Sequence, residues 1–405
     1  MAATDSLSKA DFTQRNVIID ILRALTMLMM VFVNDFWSVK GVPQWMLHAK
    51  ADVDSLGMSD VVFPVFLFVV GLSIPFAIER RYSKGFSERS TIGHILSRTF
   101  ALLTMGVFIV NTESGISPEV GMPGYVFKTL MVIAFFMVWN IYPKTEKPIR
   151  YLYTALKILG VLLLVYLSFI FRDAKGGFFQ ARWWGILGLI GWTYLTCALI
   201  YFFVRDRVFW IFMAWLGFIM LCMVKNSGWI PGKANFINDL LGLLQIGNGA
   251  HHALTMGGVL FSLVVTKYAS VRLRQKIIFI LSTVAVLLIA AKISNEFWII
   301  SKNKATLPWV LYSTAIAIGI YGLLGGAVKA GIQNWFNIIK PAGTATLTCY
   351  IVPYILYSIF WGFVNWSLPV WMKTGAIGLV KCACFAFLCV CVTWILGRIK
   401  IQLKI

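Results

Sequence analysis

Apolar stretches of about 20 residues recur along the chain from Val17 to Leu396, and short polar segments separate them. Each stretch is apolar on all sides rather than amphipathic, which is typical of helices embedded in lipid. The pattern predicts an all-α polytopic membrane helix bundle of about 11 to 12 transmembrane helices. We expect these helices near residues 17–37, 60–79, 91–111, 125–142, 149–171, 184–204, 207–224, 251–269, 275–297, 306–327, 343–364 and 370–396.

The composition agrees with this pattern, since 59% of the residues are hydrophobic, 13% are charged and the mean hydropathy is +0.81. No fixed-period repeat or soluble region is visible. We therefore expect a single transmembrane domain over residues 17–397, between tails at 1–16 and 398–405. The first apolar stretch contains Asp20 and Arg23 and leads into no small-residue cleavage site, so we expect it to be retained.

The formal charge of +20 is compatible with nucleic-acid binding, but in a membrane protein the location of the charge matters more. Lys and Arg favour one set of alternating loops by roughly two to one, and this set includes the N-terminal tail. The positive-inside rule then predicts that both termini are cytoplasmic, in a multi-pass protein of the cell inner membrane. We expect no nucleic-acid partner.

The first helical hairpin contains several polar residues that a bilayer disfavours. Asp20 and Arg23 are three positions apart and share a helix face, so we expect them to pair. Such a pair is either structural or part of a ligand entrance. Arg80 and Arg81, at the inner end of the second span, act either as a topology signal or as phosphate ligands.

Asn34 ends the first span, and His48 lies in the loop before the second. Histidine can move a proton during acyl transfer or accept the acyl group itself. An asparagine amide can donate a hydrogen bond to the oxyanion of the tetrahedral intermediate. A solvated loop histidine is the simpler alternative.

The start of the second span carries both a capping signal and a break. Ser59 or Asp60 can cap the free backbone N–H groups, and the negative charge of Asp60 suits the positive end of the helix dipole. Pro64 leaves the carbonyl of Asp60 without its usual helical donor, and Pro75 does the same to Gly71. Because such gaps must be satisfied by protein or water, we expect a cavity beside this helix.

Two separated motifs resemble the transmembrane heparan-α-glucosaminide N-acetyltransferase family and its bacterial homologues. The first runs through Asp20-x-x-Arg23, Met30 to Asn34, His48-Ala49 and Asp60-Val-Val-Phe-Pro64-x-Phe-Leu-Phe-x-x-Gly71. The second is Ile300-Ser301-Lys302-Asn303 followed by Leu307, and Pro341-Ala342-Gly343 through Tyr350 is a weaker third match. The resemblance implies a multi-span enzyme that takes acetyl from cytoplasmic acetyl-CoA and delivers it to a sugar amino group across the membrane.

By position, His48 matches the family's catalytic histidine and Asn34 its active-site asparagine. The predicted orientation puts both on the periplasmic or outer side, as that role requires. We expect the sugar or glycan acceptor, through an amine or a hydroxyl, to contact Asp52, Asp54, Asp60 and the loop 225–250. We expect acetyl-CoA to be bound by Asp20, Arg23, Arg80, Arg81, Ser301, Lys302 and Asn303.

Two other classes of protein have similar composition. A secondary transporter also has about twelve spans and intramembrane charges, but it typically has related halves, and residues 17–205 and 207–396 show no such relation. A flippase for a glycan precursor is the third alternative. No metal is expected, because His251 and His252 lack acidic or cysteine partners at ligand spacing. Membrane lipid is an expected partner, and a homodimer stays open.

Overall fold

The computed structural model describes residues 16–143, 146–229, 239, 241–242, 245–268 and 271–405. The prediction of an all-α membrane protein is confirmed, because the described residues form thirteen α-helices and no β-strand. The helices are α1 Val17–Asn34, α2 Met58–Ser83, α3 Glu88–Glu113, α4 Gly124–Trp139, α5 Lys147–Ile170, α6 Gly185–Val204, α7 Val208–Asn226, α8 Ala250–Lys267, α9 Leu273–Asn295, α10 Leu307–Lys329, α11 Phe336–Thr344, α12 Thr346–Tyr357 and α13 Gly375–Arg398.

Ten helical segments in the described part of the chain are long and apolar enough to cross a membrane. The sequence predicts two further spans, and each of these helices lacks one of the two properties, length or apolar character. Helix α4 is apolar but only 16 residues long. Helix α8 has a lower mean hydropathy than the ten membrane-length segments, yet most of its residues are buried within the protein. A helix surrounded by other helices does not need a surface that suits lipid.

The region expected to form one helix over 343–364 is divided. Helix α11 ends at Thr344, α12 begins at Thr346, and Ala345 between them has φ −123° and ψ 47°. A wider π-helical turn, Ser358–Phe363, follows α12. The apolar pattern continues through both changes of backbone geometry, so hydropathy alone did not reveal them.

The chain divides into two compact units. Unit 1 comprises residues 1–26, 43–99 and 192–337, as far as they are described, and unit 2 comprises 27–42, 100–191 and 338–405. Helices α1, α3 and α6 each contribute residues to both units.

In unit 1, α2 and α8 pack closely because glycines remove the side chains at their crossing. A Cβ at Gly71 of α2 would overlap the carbonyl oxygen of Thr255 in α8. A Cβ at Gly258 of α8 would overlap the carbonyl oxygen of Phe68 in α2. This crossing buries α2, and it gives the loop that precedes α2 a rigid base.

In unit 2, a buried charge pair joins the residues after α1 to α13. The Asp35 side chain is fully buried, and the ammonium of Lys381 lies 2.7 Å from its Oδ2. The hydroxyl of Tyr357 donates to Asp35 Oδ1 at 2.9 Å, and Lys381 also donates to Ser38 Oγ at 2.6 Å. The ring of Tyr357 stacks on Phe385 and Trp361, which close over the pair.

Candidate functional site

The loop before α2 is folded around the carboxylate of Asp60. Gly57 is the N-cap residue, and Asp60 is the third residue of the helix. Asp60 Oδ2 accepts hydrogen bonds from the backbone N–H of Gly57 at 3.1 Å and of Ala49 at 2.9 Å. The predicted capping role of Asp60 is confirmed, and the same carboxylate fixes the backbone beside His48.

The other carboxylate oxygen of Asp60 orients the imidazole of His48. Oδ1 lies 2.7 Å from His48 Nδ1, and an ionised carboxylate can only accept, so the hydrogen belongs on Nδ1. The lone pair then belongs to Nε2. The Asp60 side chain is 2% exposed, whereas that of His48 is 50% exposed. The buried carboxylate therefore fixes one nitrogen of a ring that is half exposed.

Lys302 is the third member of this group, and we call His48, Asp60 and Lys302 the His48 cluster. Lys302 Nζ lies 3.3 Å from His48 Nδ1 and 3.5 Å from Nε2. Burial lowers the pKa of the Lys302 ammonium, and the nearby Asp60 carboxylate opposes this shift. The family resemblance predicts that Lys302 binds the donor, whereas the structure puts it against the candidate catalytic histidine.

The segment before α10 is tied to the loop that carries His48. Ser301, which is 1% exposed, donates from Oγ to the carbonyl of Ala51 at 2.9 Å. Asp54 accepts from the backbone N–H of Ile300 at 2.7 Å and from Asn295 Nδ2 at 3.0 Å. These bonds hold Lys302 at a fixed distance from His48.

The carbonyl of Asp60, which Pro64 leaves without a helical donor, receives a hydrogen bond from Trp309 Nε1 at 3.0 Å. Trp309 is fully buried within the protein. The indole supplies the missing donor, and no water-filled cavity is needed at this position. Pro64 signals that a donor must come from outside the helix, but the sequence does not indicate which residue provides it.

His251, at the start of α8, was missed as a neighbour of this site. Its ring packs edge-on against Phe63 of α2 at 5.8 Å and against Trp309 at 5.9 Å. Lys302 is also close enough to His251 for an electrostatic interaction between the ammonium and the imidazole. No spacing in the sequence connects His251 to His48, because α8 approaches α2 only in the folded bundle.

Of the three aspartates predicted to bind the acceptor, two are exposed. Asp52 pairs with Lys304 at 2.7 Å, and this hydrogen bond and charge lower the pKa of the Asp52 carboxyl. Asp54 is exposed but engaged with Asn295 and Ile300. Both carboxylate oxygens of Asp60 are occupied by protein donors, so its observed contacts are to His48, Ala49 and Gly57 rather than outward.

The residues predicted to bind the donor are not all together. Asp20 and Arg23 form the expected ion pair at 3.3 Å, and Arg23 also donates to Ser73 Oγ at 2.7 Å. Arg80 is exposed, and Arg81 donates to Ser90. Ser301, Lys302 and the exposed Asn303 lie in the segment beside His48, at the other end of α2.

Two further parts of the predicted site, Asn34 and the loop 225–250, are not among the residues that the structure brings together in the His48 cluster. Asn34 belongs to unit 2, where it ends α1 with an exposed side chain. Much of the loop 225–250, including residues 230–238, lies outside the described residues. Among the residues that the structure describes, no cluster of three or more His, Cys, Asp or Glu side chains forms a candidate metal site.

Unit 1 has a cavity of about 1230 Å³ at the end remote from the His48 cluster. It lies between the start of α1, the end of α8, the start of α9 and the end of α10. Its lining is largely apolar, with Lys276 and Lys329 among the residues that contribute. Because α10 begins beside Lys302 and ends at this cavity, the two features lie at opposite ends of one helix.

The long apolar helices define a polytopic all-α membrane protein, and the His48 cluster is its candidate site. The chain belongs to the family defined by the domain of unknown function DUF5009, whose model matches residues 15–237. It is 31% identical over 134 residues to heparan-alpha-glucosaminide N-acetyltransferase of Mus musculus, covering 31% of this chain and 20% of that protein. It is 29% identical over 124 residues to the Homo sapiens protein of the same name, covering 30% of this chain and 18% of the relative.

These similarities confirm the family-level resemblance inferred from the motifs. The matched stretch spans about a fifth of the length of the two relatives.

Proposed function

We propose that this chain is an integral-membrane acetyltransferase that moves acetyl from acetyl-CoA to an amino or hydroxyl group of a sugar or glycan. The geometry of the His48–Asp60 pair carries the proposal, because a buried carboxylate fixes Nδ1 of a half-exposed imidazole and leaves the lone pair on Nε2. The two N-acetyltransferases with similar sequences support this choice of reaction.

Two chemical routes use the same imidazole. In direct transfer, the acceptor nitrogen attacks the thioester carbonyl while Nε2 takes a proton from that nitrogen; the C–S bond then breaks and the proton passes to the thiolate. In the two-step route, Nε2 attacks the carbonyl, the thiolate leaves, and the acceptor later displaces acetyl from the imidazolium and loses its proton to water. Asn34 would donate to the oxyanion in either route.

We propose that the donor enters from the end of unit 1 that contains the cavity, which the charge distribution assigns to the cytoplasm. Arg80 and Arg81 end α2, and Lys276 and Lys329 line the cavity, so cations are available for nucleotide phosphates. The acceptor would then approach His48 from the periplasmic or outer side, where Asp52 and Asp54 are exposed.

The decisive test combines purified protein with radiolabelled acetyl-CoA and a panel of amino sugars. We expect labelled product from the wild type and none from His48→Ala, while His94→Ala, a control in α3, retains turnover. Label recovered on His48 would select the two-step route. Wild-type turnover by His48→Ala would overturn the assignment of His48.

The same preparation distinguishes the transporter alternative. Reconstituted vesicles that move an amino sugar without acetylating it would favour a transporter or flippase and contradict the proposed reaction.

A further inference from the structure

Lys302 differs from the other paired lysines because its ammonium faces an imidazole rather than a carboxylate. Lys292 contacts Glu296, Lys304 contacts Asp52 and Lys381 contacts Asp35. Within the described part of the chain, Lys302 forms no ion pair, and its polar contacts are to the two ring nitrogens of His48. A cation placed beside a candidate nucleophile needs a chemical explanation, since burial of a charge has a cost.

We propose that Lys302 stabilises the oxyanion that forms when the acetyl thioester is attacked at His48, a role that rests on the proposed acetyl transfer. The Nδ1 hydrogen points to Asp60, so Nδ1 offers no lone pair to Lys302. The ammonium, 3.3 Å from Nδ1 and 3.5 Å from Nε2, also lies next to the nitrogen that reacts. A carbonyl attacked by Nε2 would develop its negative charge within reach of this donor.

The chemistry balances without a further reactant. The Nε2 lone pair forms a bond to the carbonyl carbon, and the C=O π pair moves to oxygen, where a Lys302 N–H donates to it. When the carbonyl re-forms, the C–S bond breaks and the coenzyme leaves as a thiolate, which water protonates. In direct transfer the same oxyanion forms, with the acceptor nitrogen as the nucleophile.

The position of Lys302 is fixed in advance, as oxyanion stabilisation requires. The buried Ser301 binds Ala51 through its side chain and Thr306 Oγ1 through its backbone N–H at 3.0 Å. Asp54 holds the backbone of Ile300. Both sides of the contact thus belong to one hydrogen-bonded framework, so little rearrangement is needed when charge develops.

The charged and titratable groups around His48 come from several elements. Asp60 of α2 accepts the Nδ1 hydrogen, and Lys302 lies against the same ring. His251 of α8 contacts Trp309, and the exposed Asp52–Lys304 pair and Asp54 belong to the segments that meet beside His48. Of these groups, Asp60 and Lys302 contact the imidazole itself.

The test compares Lys302→Met, Lys302→Arg and Lys304→Met, a control two residues away in the same segment. We expect Lys302→Met to lower kcat by roughly 100- to 1000-fold with little change in the KM for acetyl-CoA, as for loss of an oxyanion donor. Lys302→Arg keeps the cation and should recover part of the activity, and Lys304→Met should match the wild type. A Lys302→Met variant as active as Lys304→Met would overturn the proposal.

A second readout does not depend on turnover. An oxyanion donor acts on the transition state and not on bound acetyl-CoA, so isothermal titration calorimetry with acetyl-CoA separates this role from donor binding. We expect Lys302→Met and Lys304→Met to bind acetyl-CoA with the same Kd as the wild type; a tenfold or greater loss of affinity in Lys302→Met alone would assign Lys302 to donor binding and overturn the proposal. Absence of acetyl transfer by the wild type would instead overturn the proposed function, and the oxyanion role with it.

Discussion

Two buried aspartates, Asp60 in unit 1 and Asp35 in unit 2, hold cationic or titratable partners in different ways. Asp60 binds one nitrogen of a half-exposed histidine and leaves the lone pair on the other. Asp35 binds the ammonium of Lys381, which is itself largely buried and also donates to Ser38. Carboxylates of similar burial therefore support an open arrangement in unit 1 and a closed one in unit 2.

The difference separates an arrangement suited to chemistry from one suited to stability. In the closed arrangement, the Lys381 ammonium is occupied by Asp35 and Ser38, and aromatic rings cover it. In the open arrangement, the His48 ring is half exposed and has Lys302 beside its Nε2. We therefore expect substitutions at Asp60 to affect rate first, and substitutions at Lys381 to affect unfolding first.

The largest effect is expected from Asp60→Asn. The amide can present an acceptor to His48 or to the Ala49 and Gly57 N–H groups, but not to both, so either the tautomer or the cap is lost. We predict a fall in kcat of roughly 1000- to 10,000-fold, by analogy with removal of the carboxylate from a catalytic triad. Asp206→Asn, at an exposed carboxylate between α6 and α7, is the control. A loss of less than tenfold would contradict the orienting role.

Lys381→Met tests the closed arrangement. Removing the ammonium leaves Asp35 buried without its ion-pair partner, which typically costs about 3–5 kcal/mol. We predict a fall of this size in the free energy of unfolding in mild detergent, measured by chemical denaturation. The exposed Lys340→Met should be nearly neutral.

The double variant Asp35→Asn with Lys381→Met removes both charges and should regain much of the lost stability. If Lys381→Met unfolds like the wild type, the Asp35–Lys381 pair does not stabilise the fold, and the proposed difference between Asp35 and Asp60 is wrong.

Asn34→Ala tests the second residue that the family resemblance assigns to the active site. Asn34 precedes Asp35, and its exposed side chain ends α1. If it donates to the oxyanion, its loss should lower kcat by about 100- to 1000-fold without changing the unfolding transition. Asn337→Ala is a matched exposed control. Full activity in Asn34→Ala would contradict its assignment as an oxyanion donor.

Much of the fold follows from hydropathy alone, because the spacing of apolar stretches sets the number and position of long membrane helices. The twelve predicted helical regions all contain helix in the structure. The break at Ala345 was missed because apolar residues continue through it, and Pro341 lies inside α11 rather than at the break. Hydropathy indicates whether a segment lies in an apolar environment, but it does not indicate where the helix breaks.

The candidate site was predicted in part. His48 and Asp60 were singled out, and the capping role of Asp60 is confirmed, but their mutual hydrogen bond depends on how residues 49–57 fold. Lys302 belongs to the second motif of the family resemblance, yet its position beside His48 depends on contacts over about 250 positions. Sequence spacing carries no information about such contacts.

The smallest predicted effect is that of Trp309→Phe, which tests the hydrogen bond from the indole to the Asp60 carbonyl. The substitution keeps an aromatic ring but leaves the Asp60 carbonyl without a donor, at a cost of about 1–3 kcal/mol in unfolding free energy. Pro64→Ala restores a backbone N–H four residues after Asp60, so adding it to Trp309→Phe should recover part of the loss. Trp45→Phe, at an exposed ring, should be neutral. If Pro64→Ala gives no recovery, the cost arises from packing around Trp309 rather than from the unpaired carbonyl.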